Sequence, residues 1–137
     1  WKLYRDKVSP KAITRLAVRY INRVDIPVSC PDESVDLQEY FRTSPEISSD
    51  LPQRLNQFFL RLAIPYAPVG GTAVINQTII PPPKEGVVSV VLDIDLVRSE
   101  GVPYTDSEIW TIFESLHDGK NEIFEACITP KTRKLFD

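Results

Sequence analysis

The stretch GVVSVVLDIDLV, residues 86–97, constrains this chain more than any other. Val88, Val90, Leu92, Ile94 and Leu96 alternate with Ser89, Val91, Asp93 and Asp95. Successive strand side chains point to opposite faces, so the pattern predicts a strand with one unbroken apolar face and one acid-bearing face. The apolar face must be buried under a second layer. The acid-bearing face poses the functional question, because two carboxylates two residues apart project side by side.

Three further segments read as strands. In AITRLAVRYINRVDIP, residues 12–27, Leu16, Val18, Tyr20, Val24 and Ile26 share a face. Arg15, Ala17, Arg19, Ile21, Arg23 and Asp25 share the other. From Leu55 onward, Phe58, Leu60, Leu62 and Ile64 oppose Phe59, Arg61 and Ala63. The APVGG connection then predicts a hairpin into GTAVINQTII, which the triple proline 81–83 closes because proline cannot donate to a ladder.

Two segments read as helices. WKLYRDKV predicts a short helix ended by Ser9–Pro10. Near the C-terminus, Thr105-Asp-Ser-Glu108 matches a capping box. Ile109, Ile112, Phe113, Leu116, Ile123, Phe124 and Cys127 follow it at helical spacing. Asp118–Gly119 is where this helix could break, but the apolar stripe stays in phase across it, which predicts one long helix. Pro130 ends it and TRKLF adds a last turn. Between strands one and two, residues 28–54 are loop-like, with a short helix near 35–41. A connection this long is commonly functional. The expected fold is α+β: a mostly antiparallel four-stranded sheet with one long C-terminal helix on one face.

Hydrophobic residues at 42% and charged residues at 26% place the chain among soluble globular proteins, and no apolar run reaches the length of a membrane span. One domain over 1–137 is expected, in the cytoplasm, with no membrane association. Cys30 and Cys127 fit neither a zinc spacing nor a disulfide framework, so free thiols in a reducing compartment are the default. Residues 1–25 carry seven Lys/Arg against two Asp, while the remainder carries nine against 17 Asp/Glu. The basic part contains a strand, so internal pairing is the expected use of that split. Nucleic acid is not the expected partner at a net charge of −3.

The segments ITRLAVRYINRVDIP, LQEYF, FFLRLAIP, VVLDIDLV and LHDGKNEIFEACITPKTRKLF, in that order, resemble the C-terminal half of a sporadically distributed bacterial and archaeal protein family of unknown function. The resemblance covers nearly the whole chain and implies that it is the C-terminal fragment of a longer protein. The absence of methionine and the start at Trp1 agree with that expectation. The family supplies no activity.

Candidate chemistry is sparse. Asp93 and Asp95 could reach one divalent cation, since a Mg²⁺ site usually takes one or two carboxylates. Alternatively they pair with Arg15, Arg19, Arg23 and Arg61 across the sheet, the favoured reading because sheet faces commonly carry such pairs. His117, beside Asp118, is a weak candidate general base, since neighbouring helix residues point in different directions. There is no nucleophile elbow or phosphate-binding glycine loop. Tyr40 and Phe41 stand out in the long loop as candidate interface anchors, or as residues packed onto the domain's own sheet. The leading expectation is a non-enzymatic protein-interaction or ligand-binding module with no cofactor and no metal, its partner a protein or a second copy. The alternative is a metal-dependent phosphoryl-transfer or nuclease-like enzyme using Asp93 and Asp95.

Overall fold

The computed structural model describes residues 1–30 and 33–136. Its elements are α1 (Lys2–Val8), β1 (Leu16–Pro27), β2 (Phe59–Tyr66), β3 (Gly71–Ile80), β4 (Val87–Arg98), α2 (Asp106–Cys127) and α3 (Pro130–Arg133). The four strands form one antiparallel sheet in the order β1-β4-β3-β2. Strands β2, β3 and β4 are a meander, and β1 completes the sheet by pairing with the far side of β4.

The alternation of each strand decides which face is core. Val90, Leu92, Ile94 and Leu96 of β4 are buried. They lie level with Val24 of β1 and with Ala73, Ile75 and Gln77 of β3. Helix α2 covers this face with Ile109, Leu116, Ile123, Phe124 and Cys127, and these side chains join the strand residues in one hydrophobic core. The helix is continuous through Gly119. A Cβ there would sit 3.0 Å from both Leu96 Cδ2 and Tyr66 Cε1. The glycine therefore serves close helix–sheet approach rather than a break.

At the start of α2, Thr105 takes the extended N-cap conformation, but its hydroxyl donates to the Glu108 carboxylate instead of accepting a backbone N–H. The reciprocal capping box expected at this position is thus replaced by a side-chain pair. Asp106 and Glu108 still place negative charge at the positive end of the helix dipole. Asp106 also accepts hydrogen bonds from Trp1 Nε1 and Arg5 Nη1, which tie α1 to this end of the helix.

The long connection between β1 and β2 is stitched to the opposite end of α2. Arg42 donates its N–H to the Cys127 carbonyl, and Thr129 donates its own to the Tyr40 carbonyl. The Thr132 hydroxyl donates to that same carbonyl. Phe41 forms an isolated bridge with Ile128. The expected short helix is a single 3₁₀ turn at Leu37–Glu39, capped by the Asp36 side chain accepting from Gln38 N–H.

Both described cysteines are free. Cys30 is exposed, whereas burial pushes the Cys127 thiol above its ordinary range. Because the thiolate is the reactive species, the native protein should titrate one thiol with a disulfide reagent and two after denaturation. Rapid reaction of both cysteines in native buffer would contradict the packing around Cys127.

Candidate functional site

The second face of the sheet carries no covering layer among the described residues. The register builds it row by row. In the central row, Ile21 of β1 lies beside Asp93 of β4, Asn76 of β3 and Arg61 of β2. The neighbouring rows hold Arg19, Asp95, Val74 and Ala63 on one side and Arg23, Val91, Thr78 and Phe59 on the other.

A hydrogen-bond chain crosses all four strands through the central row. Arg61 Nη1 donates to Asn76 Oδ1 at 3.0 Å, and Asn76 Nδ2 donates to Asp93 Oδ2 at 3.1 Å. Arg19 closes the chain from the other edge, donating Nε to Asp93 Oδ1 at 2.9 Å and Nη2 to Oδ2 at 2.8 Å. This is the bidentate fork geometry that makes Arg–carboxylate pairs strong. Arg19 faces Asp95 in register yet reaches diagonally to Asp93. Asp95 is taken by Arg15 Nη2 at 3.0 Å. Asp25 forms an ion pair with Arg23 Nη2 at 3.1 Å and accepts a hydrogen bond from Ser89 Oγ at 2.5 Å.

These pairs form two tiers. The carboxylates lie in the floor and the guanidinium groups stand above them: side-chain exposure is 9% for Asp93 against 60% for Arg19, and 24% for Asp95 against 56% for Arg15. The Arg19 hydrogen bonds hold the Asp93 carboxyl below the usual carboxylate range, with Asn76 and the charge of Arg61 acting in the same direction and desolvation opposing them. Exposed Ile21 and Phe59 add apolar surface at the two outer strands of this face.

No family model, curated protein or solved structure matches the chain. The geometry alone therefore has to carry the functional reading.

Of the residues singled out from the sequence, Arg15, Arg19, Asp93 and Asp95 come together as ion pairs, and Arg61 joins them through Asn76. Arg23 lies on the same face, paired with Asp25. His117 does not join them, because it sits on α2, across the sheet. Its Nδ1 lies 3.5 Å from Asp118 Oδ1, and both side chains are largely exposed. Tyr40 and Phe41 are 7% and 1% exposed, so neither is available as a surface anchor. They pack beneath the end of α2, and Lys131 Nζ lies 4.5 Å above the Tyr40 ring. Among the described residues, no group of three or more His, Cys, Asp or Glu side chains is placed to hold a metal ion.

Asn76 was not visible as a site residue. Its identity gives no signal until the register sets it between Asp93 and Arg61. The apolar face also holds polar members: Asn22 and Gln77 flank Leu92 on either side, and Asn22 donates to the Leu92 carbonyl at 3.3 Å. Where α2 does not reach, an open groove of about 1230 Å³ runs between residues 33–38 and 45–56, with Ile79 and Val88 along it.

Proposed function

We propose that this chain is a non-enzymatic interaction module of a cytoplasmic prokaryotic protein, binding a partner through the arginine-bearing face of its sheet. The likeness to a family of unknown function belongs to the same proposal and adds no chemistry. The observation that carries the reading is the two-tiered face: carboxylates occupied from above and guanidinium groups presented outward. The guanidinium groups of Arg15, Arg19 and Arg61 are held through N–H donors at their edges, the geometry that lets a guanidinium plane stack on an aromatic or apolar group of a partner. Arginine and aromatic anchors are enriched at protein interfaces. Asp93 accepts three hydrogen bonds and Asp95 is engaged by Arg15, so a cation would have to displace charged donors from both.

Thermal unfolding in the presence of millimolar Mg²⁺ or Mn²⁺ tests this against the metal-dependent alternative. The midpoint should stay where it is without metal. Stabilisation that disappears in the Asp93→Asn/Asp95→Asn variant would overturn the proposal. A photo-crosslinking residue in place of Phe59 should capture a partner that the same residue in place of Trp110, across the sheet on α2, does not.

A further inference from the structure

We infer that the free edge of β1 pairs with β1 of a second copy, joining two four-stranded sheets into one of eight strands. In an antiparallel ladder only every second residue of an edge strand bonds its neighbour. Val28 donates its N–H to the Gly86 carbonyl at 3.0 Å, continuing the β1–β4 ladder. The even-numbered residues of β1 therefore bond β4. Ala17, Arg19, Ile21, Arg23 and Asp25 turn their N–H and C=O groups outward, and no described residue meets them.

The two edges of the sheet are unlike. Strand β2 has 8 residues and carries Pro65, and both features blunt an edge. Strand β1 has 12 residues in unbroken register with β4, and its one proline is the last residue. A long, regular edge with unused donors and acceptors is a template for another strand.

The side chains suit a second copy, and one register combines opposite-charge pairing with overlap along nearly the whole of β1. Two antiparallel β1 strands placed with Asn22 facing Asn22 bring Arg19 of each chain opposite Asp25 of the other. Ile21 then lies opposite Arg23. In that register the outward-turned backbone groups also face one another. Moving the axis by one position, to Ile21, would set Arg19 against Arg23, and like charges directly opposite are destabilising. Both open faces stay on the same side of the joined sheet, so the surface of the proposed function doubles.

The helix layer adds apolar area beside this edge. Tyr20 lies with its ring centroid 5.9 Å from Phe124, and Phe124 lies 5.7 Å from Phe136. Tyr20 and Phe136 are 41% and 46% exposed.

Light scattering over a concentration series reaching the millimolar range, with residue-resolved amide exchange, tests the inference. The intact chain should move to twice its monomer mass. The amides of Arg19, Ile21 and Arg23 should gain protection, roughly tenfold or more, as it does so. The amides of Asn22 and Val24, which bond β4, should stay protected throughout. Ile21→Pro removes an outward N–H without touching the β1–β4 ladder, a position where an edge strand tolerates proline. This variant should remain monomeric with unchanged circular dichroism. A chain that stays monomeric at every concentration overturns the inference. So does a dimer whose outward amides exchange as fast as in the monomer, a result that needs no variant to fold.

Discussion

Leu116→Ala should destabilise the domain by about 2–5 kcal/mol, toward the upper part of the range for buried leucines. Leu116 is completely buried near the middle of α2, in the core that the helix shares with Leu92, Ile94 and Leu96. Truncation removes its apolar contacts and leaves a cavity, and the cost depends on whether the surrounding layers can close it. Here they cannot close far. One turn on, the Gly119 backbone already rests against Leu96 and Tyr66 so tightly that a single Cβ would meet both at 3.0 Å. The helix has no room to settle toward the sheet, so the vacated volume persists. Urea unfolding should show a lower midpoint with an unchanged slope, the signature of lost stability in an otherwise intact fold. Trp110→Ala, on the exposed flank of the same helix, should change stability by no more than about 0.5 kcal/mol in the monomer. A loss below about 1 kcal/mol at Leu116 would mean that the helix is not docked as described.

The close contact at Gly119 illustrates what periodicity can reveal and what it cannot. The phase of Ile112, Leu116 and Ile123 across the glycine was enough to expect one helix, and α2 does run unbroken from Asp106 to Cys127. That the glycine is needed for contact with Leu96 and Tyr66 depends on residues far away in sequence. The same division holds elsewhere. Alternation placed the faces of β1, β2 and β4 correctly, because the twofold period is a local property of the backbone. Strand ends are not local: β2 begins at Phe59, where its pairing with Thr78 of β3 begins, rather than at Leu55. Tyr40 and Phe41 read equally well as interface anchors or as core. Only the backbone bonds from Arg42 and Thr129, spanning more than eighty residues, turn them inward.

The candidate face was legible to the same depth. Parity alone put Arg15, Arg19 and Arg23 on one side of β1 and Asp93 and Asp95 on one side of β4. Which arginine takes which carboxylate depends on register and reach. Arg19 lies opposite Asp95, but its fork closes on Asp93, two residues along. Asn76 entered the network only when β3 was set against β4. A polar residue with no partner in its own segment gives no sign of the bridge it will make.

Asp93→Asn tests that network most directly and should cost about 1–3 kcal/mol at neutral pH. The side chain keeps its shape but loses its charge, and one carboxylate oxygen becomes an NH₂ group facing donors. Either Arg19 Nε, or Arg19 Nη2 together with Asn76 Nδ2, is then left without an acceptor at a position where Asp93 is only 7% exposed. The pH dependence follows from the direction of the shift. Because the folded-state value lies below the ordinary one, the unfolded chain binds the proton more readily, and stability rises with pH wherever that difference operates. The contribution is complete above the unfolded aspartate value of about 3.9 and is lost as the pH falls through the depressed value in the folded state. Wild-type stability should therefore fall on acidification through this window more steeply than that of Asp93→Asn, so the two curves converge toward low pH. Parallel curves, or a variant as stable as wild type at neutral pH, would show that the carboxylate carries no such load. Asp93 would then be available for another task, and the metal-binding alternative would regain its principal ligand.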